Sequence, residues 1–469
     1  MTQAAIESLD AAFAARLGER WLRSPSAMAR YGGSESHHGG HLPDRVAQPV
    51  SVDEVQALVR AAGAAGVPII AYGAGTSLEG NAEAVAGGLC LDMTRMARIV
   101  EIAAPDLLCV VEPGVTREQL NTDLRDTGLF FPIDPGANAT LGGMIATRAS
   151  GTNAVRYGTM RENVLALDVV LADGTLIRTG TRARKSSAGY DMTHLFVGSE
   201  GTLGVVVGAT LRLHGQPEAV LSGSWPFATI EGAVDTVIAT IQLGIPVARI
   251  ELLDEAAIRA CNAHDGLTLA EVPTLFVEFH GTPLAIEEQR ATVEAIGREL
   301  GGGVMHVSAD PDRRRDLWRA RHAALPAARA AIPGASVWVS DVCVPISRLA
   351  EAVAGARRLI DEAALTAPIL GHVGDGNFHI FFVLPPGDDE TLARAALINE
   401  AVIEQAISVG GTCTGEHGIG IGKREALLRE HGDEAVAAMR RVKQALDPHG
   451  LLNPAKIFLP DSAIGIEQV

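Results

Sequence analysis

No Cys-x-x-Cys pair occurs in this sequence, and its five cysteines (Cys90, Cys109, Cys261, Cys343 and Cys413) are scattered and odd in number. That excludes a disulfide framework and a zinc ribbon, and fits thiols kept reduced in a reducing compartment. Basic stretches that would bind nucleic acid are missing too, and the formal net charge is −17, so no nucleic-acid partner is expected. No apolar run approaches the roughly 20 residues that a membrane span requires. The first ten residues carry acids where a secretory signal would carry lysines. A soluble, cytoplasmic protein is therefore expected.

What is there is ordinary globular material: 469 residues with 47% hydrophobic and 20% charged side chains, enough for two or three domains. Ile6, Leu9, Phe13, Leu17 and Trp21 recur at helical spacing and predict a lead-in helix. The loop that follows carries His37, His38 and His41 and reads as solvated. Ser51-Val-Asp-Glu predicts a capping box opening a helix that runs to about Ala65. A short apolar strand then enters Gly73-Ala-Gly-Thr-Ser-Leu-Glu-Gly80. This loop has no Lys-Ser/Thr ending and no full Gly-x-Gly-x-x-Gly spacing, so it is neither standard phosphate motif. Two further stretches are rich in glycine and small residues, 131–153 and 198–207. The first lacks the Leu and Ile period of a core helix, and would let a bulky planar ligand lie against backbone. Between them a strand, an Asp173-Gly174 turn and a second strand are expected. Farther on, 228–244, 285–300, 351–364 and 391–409 read as helices and 274–280 as a strand.

The chemistry is concentrated in His372-Val-Gly-Asp-Gly-Asn-Phe-His379. Apolar flanks predict two strands, and Asp375-Gly376 predicts a two-residue hairpin loop. Counted outward, Gly374 faces Asn377, Val373 faces Phe378 and His372 faces His379, with Cβ atoms of facing residues about 5 Å apart. Two imidazoles so placed can share a divalent metal. Glu416-His417, set among small residues and glycines from Gly410 to Gly420, suggests a third ligand. One such histidine would read as a hydrogen-bonded residue at a sheet edge. Two histidines and a carboxylate, Glu416, read instead as a catalytic metal site with open positions.

The loop 73–80, the segment 134–158 and Gly198-Ser-Glu-Gly-Thr-Leu-Gly resemble the flavin domain of the vanillyl-alcohol-oxidase superfamily. With 372–379 and 415–418 added, the chain resembles the FAD-dependent D-lactate dehydrogenases of the cytochrome type. Their relatives include D-2-hydroxyglutarate dehydrogenase and the D subunit of glycolate oxidase. The similarity covers about residues 30–457. It implies an α+β fold: a flavin domain of the p-cresol-methylhydroxylase (PCMH) type in two subdomains, an α+β cap with an antiparallel sheet, and a C-terminal helical segment returning to the flavin. The expected boundaries are 1–40 for the lead-in, 41–217 for the flavin domain, 218–425 for the cap and 426–469 for the last segment. The resemblance assigns FAD binding to Gly73, Gly75, Thr76, Ser77, Asp134, Gly142, Gly143, Ser150, Gly151, Gly201 and Asn453. Some members attach FAD through a histidine in the first glycine loop. This loop has none, so noncovalent FAD is expected.

The implied substrate is a small D-2-hydroxy acid. The family's Trp-x-x-Arg falls on Trp318 and Arg321, which makes Arg321 the carboxylate-binding residue, and a guanidinium fork suits that task. A divalent metal, zinc or manganese, would sit on His372, His379 and Glu416, with His417 as general base. Polar groups that would receive a second carboxylate in the hydroxyglutarate-active relatives align here with Leu325, Val339 and Phe381. An apolar substrate side chain is therefore expected. The other expected partner is an electron acceptor, whether cytochrome, quinone or electron-transfer flavoprotein, with a homodimer left open. Two alternatives stand beside this reading: another flavoenzyme of the same architecture, and a flavin- or metal-binding subunit without activity of its own.

Overall fold

The computed structural model describes residues 3–460; residues 1–2 and 461–469, the outer ends of the expected lead-in and C-terminal segments, lie outside the described residues. The chain divides into two units. One is Met1–Ser150, Gly158–Gln216 and Glu416–Val469; the other is Gly151–Tyr157 and Pro217–Gly415.

In the first unit the lead-in helix forms over Gln3–Leu17, and Ile6, Leu9, Phe13 and Leu17 are its buried residues. Ser51 caps the helix Val52–Ala65 by accepting from the Glu54 N–H. The expected capping box is only half made, because the Glu54 carboxylate turns to Arg20 and the Val50 N–H instead. The helix stops at Gly66, whose φ of 65° is the left-handed conformation that favours glycine. A mixed sheet follows, in the order Trp21–Leu22, Arg45–Ala47, Leu89–Asp92, Ile69–Tyr72. Beside it in the chain is a five-stranded antiparallel sheet, ordered Ile99–Ala103, Leu108–Val111, Val205–Arg212, Val164–Val170, Leu176–Gly180. Each sheet has its own buried apolar cluster. After the helix Arg424–Leu446 the chain returns to the first sheet, where the Asn453 N–H donates to the Ile69 carbonyl.

The loop carrying His37, His38 and His41 is not simply solvated as expected. His37 is exposed, but His38 and His41 are half-buried, with His38 Nε2 3.7 Å from Glu79 Oε2 and the His41 N–H donating to Glu83. Glu79 and Glu83 are themselves buried.

The second unit is built on one antiparallel sheet. Its order is His306–Ser308, Ala219–Pro226, Thr274–Gly281, Arg249–Leu253, Ile369–Gly371, Asn377–Leu384, Ser336–Val339. Alternation along the strands divides its residues between two faces. One face is apolar, with Trp225, Ile250, Leu252, Leu275, Val277, Phe279, Ile369, Ile380 and Phe382 all buried. Against it lies the helix Pro283–Glu299, so closely that a methyl group at Gly297 would run into the Trp225 ring. The other face carries Ser222, Arg249, Glu251, Glu278, His280 and His379, and Trp318 from the helix Pro311–His322 donates to Glu278 there. That division puts the polar chemistry on one side of a sheet whose other side makes the core.

Candidate active site

In the first unit, the three glycine-rich stretches converge on one groove. Gly73, Gly142, Gly143 and Gly201 line it, with Tyr72, Met93, Thr140, Ala146 and Ser199. The stretch expected not to be a core helix forms a short one, Leu141–Thr147, with two distinct faces. Leu141, Met144 and Ile145 are buried, while Gly142, Gly143 and Ala146 line the groove. Backbone therefore forms much of the wall. A side chain at Gly201 would meet nothing nearer than Ala71 Cβ at 3.8 Å and would project into the groove. Gly201 also has a φ of 69°, which strains any other residue.

Of the remaining residues assigned to FAD, Gly75 (φ 72°) shapes the first loop, where a Cβ would run into Tyr72. Ser77 Oγ is enclosed yet has no hydrogen-bond partner among the described residues, which suits a bound ligand. Thr76 is half-buried, and Asp134 and Ser150 are buried, without lining the groove. Gly151 belongs by its contacts to the second unit. Asn453 is committed through its amide to the carbonyls of Asn81 and Glu200, at 2.8 and 2.6 Å, while its Oδ1 has no partner among the described residues. The open backbone wall and these two enclosed oxygens fit a large polar ligand such as FAD.

Glu200 was read as part of a glycine turn, and its side chain does something else. It is buried at φ 53°, and its carboxylate accepts the N–H groups of Ile419 and Gly420 at 2.7 and 2.8 Å. Asn81 Nδ2 donates both to Glu200 and to the His417 carbonyl. The backbone just after Glu416 and His417 is thus held by a buried carboxylate and a carboxamide.

In the second unit the expected register at the histidine hairpin needs correction. Leu370, not His372, pairs with His379, and Ile369 pairs with Ile380. The connection is a 3-10 turn at Val373–Asp375 closed by Gly376 at φ 80°. The cause is local: the His372 carbonyl accepts from both Asp375 and Asn377, at 3.0 and 3.3 Å, so four residues form the loop instead of two. The slip is by two residues, an even number, so both histidines stay on one face. Their ring centroids are 5.5 Å apart.

Each imidazole is held through Nδ1. His372 Nδ1 lies 2.8 Å from Glu251 Oε1, and His379 Nδ1 lies 3.1 Å from the Ser340 carbonyl. An Nδ1–H tautomer places the lone pair on Nε2, which is the arrangement of metal-ligating histidines. The pair fits a divalent metal on that ground. The loop before Glu416 is anchored here as well. Gly415 sits so close to Asn377 that a Cβ would collide with its amide, and Thr414 Oγ1 donates to Asp341 at 2.7 Å. Glu416 is one peptide bond farther along.

Arg321 is buried on the same face, but its Nε and Nη2 are turned to Glu251 Oε2, at 3.0 and 2.6 Å. The Nε/Nη2 edge of the guanidinium is thus taken up by Glu251. Val339 and Phe381 pair directly across neighbouring strands, and Phe381 shares the His379 face by alternation. Leu325 is half-buried on the helix Ala324–Ala330, which packs on both of those strands.

Sequence reasoning missed Glu251, Asp341 and Arg249. The first had a signal: a lone acid inside the apolar strand Arg249–Leu253 is expected to have buried partners. Glu278, in a strand of the same kind, has its acid pulled down to about 2; burial raises it, but Arg249, His280 and Ser222 outweigh that.

Comparison with known proteins follows these lines. A family model described as the C-terminal domain of FAD linked oxidases matches residues 216–457, and one described as an FAD binding domain matches residues 43–180. A probable mitochondrial D-lactate dehydrogenase of Danio rerio is 48% identical, covering 97% of this chain and 92% of its own length. The mitochondrial D-lactate dehydrogenase (cytochrome) of Arabidopsis thaliana is 44% identical, covering 90% of this chain and 75% of its own. Among solved structures, p-cresol methylhydroxylase with substrate bound superposes over 97% of both chains with a TM-score of 0.79, and its 16% identity speaks for the fold alone. The expected cytoplasmic location is overturned by these relatives, which are mitochondrial by name and point there instead. Reduced thiols gave no guidance, since they fit any reducing compartment. Among the described residues, no helix is long and apolar enough to cross a membrane.

Proposed function

This chain belongs to the FAD-linked oxidases, and from that premise we propose a flavin- and metal-dependent dehydrogenase. Its substrates are D-lactate and related small apolar D-2-hydroxy acids, which it oxidises to 2-oxo acids. The observation that carries the reading is the shared carboxylate of Glu251, which holds a ligand-type histidine and an arginine side by side on one sheet face.

The groove lined by Gly73, Gly142, Gly143 and Gly201 would hold FAD noncovalently, and the flavin would supply the hydride acceptor. His372, His379 and Glu416 would hold a zinc or manganese ion, which would supply Lewis-acid chemistry at the substrate hydroxyl. The protein's own groups do the rest. Arg321 binds the substrate carboxylate through its Nη1/Nη2 end and so fixes which face of C2 is presented. His417 takes the hydroxyl proton as general base. Loss of that proton and of the C2 hydride would convert the substrate to the 2-oxo acid, and the two electrons would go by way of the flavin to a separate acceptor.

The test is anaerobic mixing of the FAD-loaded protein with D-lactate and, separately, with L-lactate. Bleaching of the flavin's visible absorption by D-lactate alone is the expected result. A flavin that stays oxidised with every 2-hydroxy acid tried would mean a binding subunit and not a dehydrogenase.

A further inference from the structure

Glu251 sits in the middle of the strand Arg249–Leu253, between Ile250 and Leu252, and is 1% exposed. A carboxylate enclosed that far among apolar neighbours is strongly unfavourable unless charge and hydrogen bonds compensate it. Here the compensation comes from two sides. Oε2 accepts from Arg321 Nε and Nη2, at 3.0 and 2.6 Å. His372 Nδ1 lies 2.8 Å from Oε1 and 3.0 Å from Oε2.

We propose that Glu251 is a positioning residue that couples metal retention to recognition of the substrate carboxylate. This rests on the reading of His372 as a metal ligand and Arg321 as the carboxylate-binding group. Glu251 fixes the His372 ring in the tautomer and orientation that direct Nε2 to the cation. It also occupies the Nε/Nη2 edge of Arg321, so that the opposite end of the guanidinium is the one presented. One carboxylate therefore holds both substrate-binding elements, His372 and Arg321, and each depends on Glu251 rather than on the other.

A purely structural ion pair would make a different prediction. It would pin the helix Pro311–His322 to the sheet, and its loss would lower the melting temperature without touching zinc affinity or KM. Loss of a residue that hydrogen-bonds a metal ligand typically weakens metal affinity by about 10–100-fold.

The experiment uses the FAD-loaded full chain with zinc as the probe, its Kd measured by competition against a chelator. Arg321→Gln, which keeps Glu251, should retain zinc with wild-type affinity. Glu251→Gln/Arg321→Gln removes both charges together, avoids a stranded buried ion, and should bind zinc about 10–100-fold more weakly. The single Glu251→Gln variant should also raise KM for D-lactate at least about tenfold, with FAD still bound. Equal zinc affinity in Arg321→Gln and the double variant would overturn the proposal. A wild-type protein that holds no zinc, and is no different from His372→Ala in this respect, would instead overturn the metal reading beneath it.

Discussion

Val339 stands directly across from Phe381 on neighbouring antiparallel strands, on the sheet face that also carries His379. Both are 6% exposed, and the helix bearing Leu325 packs on the same two strands. A second substrate carboxylate against these three side chains would be desolvated without a partner, which costs several kcal/mol. Each methylene of an apolar substrate side chain buried there gains about 0.8 kcal/mol. D-lactate and D-2-hydroxyisovalerate should therefore surpass D-2-hydroxyglutarate in kcat/KM by about 100-fold or more. A preference for the diacid would show that these side chains only pack the interior.

The backbone at His417 and just after it is held by Asn81 and Glu200. Removing the ring should leave that loop in place. His417→Ala is expected to keep FAD and zinc and to slow flavin reduction by D-lactate about 10²–10⁴-fold, the usual range for a lost general base. Stopped-flow reduction at the wild-type rate would take His417 out of the mechanism.

Glu278 supplies a pH dependence of stability. Its acid is brought to about 2, against an ordinary value of 4.5. A group depressed on folding stabilises above its unfolded pKa, and that contribution is lost as pH falls through the folded one. The wild-type melting temperature should thus drop as pH falls from about 5 toward about 2. Glu278→Gln leaves Arg249 without its buried partner and should cost roughly 3 kcal/mol at pH 7. Its melting temperature should also vary less over the acid range. A variant curve parallel to wild type would assign the acid sensitivity to other carboxylates.

Local features were legible in the sequence. The Ser51 cap and the Asp173-Gly174 hairpin rest on contacts within a few residues, and both form as expected. The histidine hairpin was legible in kind but not in register. Its turn depends on Gly376 lying against the Val344 carbonyl, where a Cβ would collide, and on the double use of the His372 carbonyl. Neither is visible in the eight residues themselves. The faces survived because a slip of two restores the alternation. Glu251 escaped because its partners lie 70 and 121 residues away. Glu200 escaped in the same way: the N–H groups it receives are 219 and 220 residues farther along. Spacing patterns show which face a residue takes and not which distant chain segment meets it.

On the proposed function, oxidation requires a metal held by His372 and its neighbours, while FAD is held separately. The most direct measurement strips metal from the FAD-loaded protein with a chelator and follows anaerobic flavin reduction by D-lactate. Reduction should cease with FAD still bound, and zinc or manganese should restore it in the wild type but not in His372→Ala. Undiminished flavin reduction by the verified metal-free protein would contradict the account.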